Sequence, residues 1–314
     1  FALVVALVAS GMAFVTGSAL DGLEIALVAL TLFVGAIVLS FSSRYLRADP
    51  QPRSYATKVL LLLAAIQISI LAEHAVLFAI AWLASGWLIA ALIGHVAHWD
   101  QARVAARRTL VRLAIGDLML IAALALLCWQ AGSVRIEALV AGAVAEPGIV
   151  TFAAALMLVI AAMARCALPP FSSWLTLSMT APTPVSALMH AGFVNAGGFL
   201  LIRFGPVLEA APAAQWLAIA AGLVAALWGT GIMLVRPDIK RSLAGSTVAQ
   251  MGFMLMTCGL GAYAAALWHL VAHGLFKAWL FLGSGSAIGT QSPSQAEHAG
   301  SLALAVSAMV GLAG

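Results

Sequence analysis

The sequence predicts an all-α polytopic membrane protein, on three observations. Of its 314 residues, 64% are hydrophobic and only 8% are charged, against about a quarter charged in ordinary soluble domains. The apolar residues form uninterrupted Ala/Leu-rich runs of helical length, whereas barrel strands would alternate over about ten residues. Basic residues crowd into alternate loops. One set of loops holds Arg44, Arg47, Arg53, Lys58, Arg103, Arg107, Arg108, Arg112, Arg236, Lys240 and Arg241, and the other holds Arg135 and Arg203. The positive-inside rule then places residues 42–58, 95–112, 236–242 and 289–300 in the cytoplasm, and 19–24, 73–74, 131–148 and 203–212 on the far side. This topology accounts for the net charge of +4 and leaves no reason to invoke nucleic acid.

Spans are expected at about 1–18, 22–41, 57–72, 75–94, 110–130, 149–180, 181–202, 213–235, 243–261 and 263–288, with another beginning near Ser301. Together they make one transmembrane domain over residues 1–314. The chain starts at Phe1 and stops at Gly314 inside an apolar run, as a portion of a longer protein would. Cys128, Cys166 and Cys258 have no metal or redox spacing and read as small core hydrophobes.

In order along the chain, the first two spans carry no internal charge. Asp21 and Glu24 sit in the turn between them. The fourth span has Trp82 and Trp87, with small residues Ala84, Ser85, Gly86 and Ala90 suited to close helix contact. Residues His95 to Arg108 form a basic amphipathic stretch that suits anionic lipid headgroups, a partner, or simply a cytoplasmic loop. Asp117 is an acid inside a span, five residues after Arg112. It must be paired or line water, and it could hold Arg112 or anchor a helix end at the interface. The loop 131–148 is long enough for a short surface helix and ends at Pro147-Gly148.

The stretch from Arg165 to Ile202 has the strongest signal. Pro169 and Pro170 remove two backbone donors in a row and break the helix, and within a bilayer the freed carbonyls must find other partners. Arg165 lies one turn before the break. His190 lies in the following helix, which opens at Pro182 and Pro184. Broken intramembrane helices with charges beside the break mark ion or substrate pathways. Further on, Lys240 sits at a cytoplasmic loop and can reach inward by snorkelling. His269, His273 and Lys277, spaced i, i+4, i+8, share one helix face and cover about 12 Å of its axis. Histidine titrates near neutrality, so such a row with water between its members can pass protons. Metal is the rival for His269 and His273, but no Glu follows the first His and a cation shares the face.

Taken together, W-x-x-x-G at 82–86, G-D at 116–117, L-P-P-F-x-x-W-L, A-P-T-P-V-S-A-L-M-H-A-G, D-I-K-R-S-L-A-x-S-T and H-L-x-x-H-x-x-F-K-A resemble the antiporter-like proton-translocating subunits. These occur in respiratory complex I, in related hydrogenases and in multisubunit sodium/proton antiporters. The resemblance covers nearly the whole chain. It implies an antiporter-like bundle of about fourteen helices with two inverted five-helix repeats, each containing a broken helix. The first repeat would be 57–202, and 213–314 would be an incomplete second. In the complex I branch a glutamate follows the residue at Trp82 and pairs with a lysine where Arg165 stands. Here the first position is Leu83, and an arginine does not release its proton, so that switch is in doubt.

The wording of M-H-A-G-F-V-N-A-G-G-F-L-L, V-A-Q-M-G-F-M-L-M-x-C-G-L-G-A-Y-A-A-A and L-V-A-H-G-L-F-K-A-W-L-F-L is similar to the DabB family. These are membrane subunits of bacterial inorganic-carbon accumulation systems. That resemblance implies a bacterial inner-membrane location, proton or sodium flow through this chain, and a DabA-type partner carrying zinc in a carbonic-anhydrase-like site. No cofactor or metal is expected in this chain, which would be an ion-translocating subunit and not an enzyme. The expected relay is His190, His269, His273 and Lys277. Arg165 would set the local field, Asp117 would be a secondary site, and Lys240 would be the cytoplasmic intake. Membrane lipids are the other expected partner.

Overall fold

The computed structural model describes residues 22–284. Every named element in that range is helical: α1 Gly22–Tyr45, α2 Pro52–Leu71, α3 Ala75–Ile93, α4 Asp100–Ala131, α5 Ile136–Ala145, α6 Ile149–Arg165, α7 Ser173–Leu177, α8 Thr183–Ala191, α9 Ala196–Arg203, α10 Gly205–Glu209, α11 Pro212–Val235, α12 Ile239–Gly259 and α13 Tyr263–Ser284. Among the described residues, seven helical segments are long and apolar enough to cross a membrane, Thr183–Arg203 counted as one span. The chain is an all-α, multi-pass membrane protein. The spans expected at 1–18 and from Ser301 lie outside the described residues.

The local signals that start and stop these helices are visible. Proline occupies the first turn of α2, α8, α10 and α11, where its missing N–H costs nothing. Asp238 caps α12, accepting from the Lys240 and Arg241 amides at 2.8 and 3.3 Å. Gly132, at φ 61°, ends α4 in the left-handed region that favours glycine. The loop 131–148 does hold a short helix, α5, with Ile136, Leu139 and Ala143 buried.

The two ends of the bundle gather the loops that charge patterning sorts together. At one end, the Ala75 amide donates to Val134 and the Ile136 amide to Glu73, while Arg135 reaches Glu73 at 3.5 Å. Arg203 donates to the carbonyls of Ile70 and Ala72, supplying donors to the unsatisfied C-terminus of α2, and lies 4.0 Å from Glu24. At the other end, His95 pairs with Asp49 at 3.1 Å and Tyr45 meets Thr183 at 3.2 Å.

The basic stretch 95–108 begins as a short loop. It enters α4, which runs unbroken from Asp100 for 32 residues, about 48 Å at 1.5 Å per residue. The segment 181–202 is not one helix. It is interrupted at Gly192 by a single 3₁₀ turn, Phe193–Asn195, and with 83% of its apolar window buried it is the centre of the bundle. Helices α11 and α12 make the tightest crossing. A Cβ on Gly222 would come within 2.6 Å of the Gly252 carbonyl, and one on Gly252 within 2.6 Å of the Gly222 carbonyl. Only glycine admits that approach.

Candidate functional site

Two buried polar clusters lie along the core. The first forms at the predicted break. Helix α6 ends at Arg165, four residues before the first proline. The Ala167 amide donates to Ala164 at 3.3 Å, and the Leu168 amide reaches back to Met163 at 2.9 Å. Ala167 takes φ 55°. This is a Schellman cap with alanine where glycine is usual. The Ala164 carbonyl also accepts from the Trp174 indole at 2.9 Å. The freed carbonyls are thus served from within the break itself.

The cap leaves Arg165 on the last helical turn, pointing inward and 1% exposed. Its guanidinium donates to Asp117 Oδ1 at 3.2 Å, to the Trp82 carbonyl at 3.1 Å and to Ser85 Oγ at 3.0 Å. It lies over the Trp82 ring at 4.0 Å and the Phe193 ring at 4.6 Å. The Trp82 indole donates to the same Asp117 oxygen at 3.0 Å. Asp117 therefore holds neither Arg112 nor an exposed helix end. Arg165 is more deeply buried and gives it a charge-assisted hydrogen bond from Nη2 to Oδ1, while its Nη1 goes to Ser85. The acid absent at Leu83 is supplied from α4, one helix away.

Asp117 Oδ1 is doubly bonded, while Oδ2 lies beside Gly86, 3.7 Å from where a Cβ would stand. There a cleft of about 210 Å³, lined by Gly86, Trp87, Leu110, Val111, Leu113, Ala114 and Asp117, opens between α3 and α4.

The second cluster forms where α8, α12 and α13 meet. His190 is fully buried. Its Nδ1 lies 3.0 Å from Thr247 Oγ1, and that hydroxyl donates to the Leu243 carbonyl at 3.0 Å. Through Thr247, His190 is linked to the Leu243 carbonyl. His190 Nε2 has no hydrogen-bond partner among the described residues, and the ring stacks on Phe281 at 4.1 Å.

Lys277, 1% exposed, donates to the same Leu243 carbonyl at 3.1 Å and to Ser246 Oγ at 3.0 Å. No acid lies within ion-pair distance of it among the described residues. His273 is buried one turn earlier on α13, and His269 is half-buried a turn before that. Their rings stack at 5.8 Å and 19°. The i, i+4, i+8 row therefore runs from a half-exposed member inward to Lys277, and His190 converges on it from α8 through Thr247 and Leu243. Among the described residues no group of three or more His, Cys, Asp or Glu side chains could hold a metal.

The remaining predicted positions fall outside these clusters. Lys240 is partly exposed in the first turn of α12 and, among the described residues, makes no side-chain hydrogen bond or ion pair with the histidine row. Pro182 is the N-cap of α8 and Pro184 lies in its first turn, while Pro169 and Pro170 follow the α6 cap. Between the two clusters lies an apolar cavity of about 40 Å³ whose walls include Trp82, Ser85, Asn195 and Leu270. The Asn195 amide nitrogen donates to the Ala191 and Leu270 carbonyls, and its Oδ1 is buried without a partner among the described residues. Sequence reasoning missed Ser246 and Thr247, although both stand in the D-I-K-R-S-L-A-x-S-T motif that supplied Lys240. Trp82 and Ser85 enter the sequence reading through the W-x-x-x-G motif and close helix packing, not as partners of Arg165 or Asp117.

The family described as NADH:quinone oxidoreductase/Mrp antiporter, transmembrane, matches residues 72–308. The chain is 40% identical over 262 residues to a probable inorganic carbon transporter subunit DabB1 of Halothiobacillus neapolitanus, covering 81% of this chain and 47% of that one. It is 39% identical over 282 residues to a probable inorganic carbon transporter subunit DabB of Bacillus subtilis, covering 88% and 55%. It is also 37% identical over 283 residues to NADH-quinone oxidoreductase subunit L of Mycobacterium tuberculosis, covering 89% and 45%. The chain thus spans about half the length of the curated relatives it matches. A chain of the Mrp complex from Dietzia sp. DQ12-45-1b shares the fold, with a TM-score of 0.79 and 34% identity over 83% of this chain and 29% of that one.

Proposed function

Since the chain belongs to the NADH:quinone oxidoreductase/Mrp antiporter transmembrane family, as an antiporter-like membrane subunit, we propose that it conducts protons or sodium in an energy-coupled inorganic-carbon transporter of a bacterial inner membrane. A DabA-type zinc subunit would carry out the hydration of CO2, and this chain would supply the ion flow. The observation that carries the reading is the convergence of His190 and Lys277 on Thr247, Ser246 and the Leu243 carbonyl in a buried site. A lysine held only by neutral oxygens can lose its proton without an ion pair being broken, and the His190 ring is linked to the same Leu243 carbonyl through Thr247. His273 and His269 extend the route toward the exposed end of the row. Arg165 keeps its proton, so in the first cluster the group free to change state is Asp117.

The test is complementation of a carbonic-anhydrase-deficient bacterium by the full-length protein with its partner. Lys277→Ala and His190→Ala should each abolish carbon-dependent rescue while the complex still assembles. Full rescue by both would overturn the relay. The likeness to subunit L favours a second reading, a proton-pumping subunit of a redox complex. The co-purifying partner discriminates: a zinc protein for the first reading, flavin and iron–sulfur subunits for the second.

A further inference from the structure

We propose that α4 and the short helix after the break form a site for the phosphate headgroup of an anionic phospholipid of the cytoplasmic leaflet. The site is a cleft of about 620 Å³ lined by Val104, Arg107, Arg108, Val111, Arg112, Ser173 and Leu177. At 100° per residue, the five α4 positions fall within an arc of about 140°, so the three guanidinium groups and the two valines share one face.

Among the described residues, Arg107, Arg108 and Arg112 make no ion pair and no side-chain hydrogen bond. Asp100 is taken by Arg103 at 2.6 Å and Asp117 by Arg165 at 3.2 Å. Three neighbouring cations around one cleft without a counter-charge repel one another, and an anion there relieves that repulsion.

Depth identifies the anion as a lipid's. Counting back about twenty residues, the hydrocarbon span, from the end of α4 at Ala131 reaches Arg112. The remaining turns project beyond the apolar layer. On the same face, exposed Ile115 and Leu118 follow directly after the arginines. A face that changes from guanidinium to exposed aliphatic within one turn lies across a headgroup–acyl boundary. Arginine forks match phosphate oxygens, the Ser173 hydroxyl lines the opposite wall, and Val104, Val111 and Leu177 offer apolar surface to the glycerol and upper acyl carbons. By the positive-inside rule this end faces the cytoplasm. A bound lipid would hold α7, the segment that follows the Arg165 break, against α4.

The test compares two triple variants of the intact protein. One is Arg107→Gln/Arg108→Gln/Arg112→Gln. The other, Arg44→Gln/Arg47→Gln/Arg53→Gln, removes as many cytoplasmic arginines elsewhere. Native mass spectrometry reads phosphatidylglycerol retained from mixed phosphatidylglycerol–phosphatidylcholine nanodiscs. Retention should fall roughly tenfold or more in the first variant and less than about twofold in the control. Equal loss in both variants, or no loss in the first, overturns the site. So does inorganic phosphate displacing the lipid at millimolar concentration, which would mark a soluble-anion site. Unchanged lipid retention with loss of a co-purifying subunit would make the patch a protein interface instead. Should the first variant fail to fold, a photo-crosslinking residue at Val111, with all three arginines kept, decides the matter. Adducts with phosphatidylglycerol but not phosphatidylcholine support the site, and equal adducts overturn it.

Discussion

The two buried clusters each hold a cation that is 1% exposed and treat it in opposite ways. Arg165 has a full counter-charge in Asp117, three hydrogen-bond acceptors and two aromatic faces. Lys277 has a carbonyl and a hydroxyl. The first is a neutralised pair between α4 and α6, built around a residue that keeps its proton. The second is a lone cation among histidines, built around a residue that can give its proton up. Under the proposed relay the two divide the labour: the Arg165 cluster holds the broken helix in place and offers Asp117 alone for change of state, while the Lys277 cluster would carry the transfer.

The sharpest way to break this comparison is Lys277→Arg. It keeps the charge and can donate to the Leu243 carbonyl and Ser246, but it removes the capacity to deprotonate. Carbon-dependent rescue should drop to background with the complex still assembled. Retained rescue would mean that Lys277 works as a fixed charge, like Arg165, and the two clusters would no longer differ in kind.

Next comes Asp117→Asn, which leaves Arg165 buried without its counter-charge. Breaking one side of a buried pair costs about 3–5 kcal/mol, read as loss of thermal or denaturant stability in detergent. The double variant Asp117→Leu/Arg165→Met removes both charges and should recover most of that loss. A double variant as unstable as the single would show that Arg165 is held by Trp82 and Ser85 rather than by the acid. In the same cluster, Trp174→Phe replaces the indole by a smaller ring and removes one of the two donors to the Ala164 carbonyl, which keeps the Ala167 amide. It should cost about 0.5–1.5 kcal/mol for the lost hydrogen bond, plus the void left in a fully buried site. No change in stability would mean that the indole contributes nothing to holding the break.

The contrast between the clusters also explains what could be read from the sequence. The histidine row was legible because one helix carries it, and its period places His269, His273 and Lys277 on one face. The break was legible because two consecutive prolines leave few alternatives. The pairing of Asp117 with Arg165 was not legible: it joins residues 48 positions apart, and the nearer Arg112 looked sufficient. Ser246 and Thr247 were overlooked because hydroxyls in a helix usually bond their own backbone. Thr247 does so with Leu243, and its second role appears only once α8 is packed against α12. The interruption at Gly192 was hidden by the apolar run around it. Glycine next to a bulky sequence marks close approach as readily as a kink, and only the surrounding helices decide which.

The smallest expected effect lies at the hinge of the first cluster. Ala167 occupies the left-handed region at φ 55°, which costs an L-residue roughly 1–2 kcal/mol. Ala167→Gly relieves that cost but gives the unfolded chain more freedom, worth about 0.4–1 kcal/mol in the other direction. The net result should be a stabilisation of about 0.5–1 kcal/mol. If the Arg165 cluster is static scaffold, transport by this variant should be unchanged while stability rises. If stability rises and transport falls, the cap must open during the cycle, and the first cluster would then be a moving part.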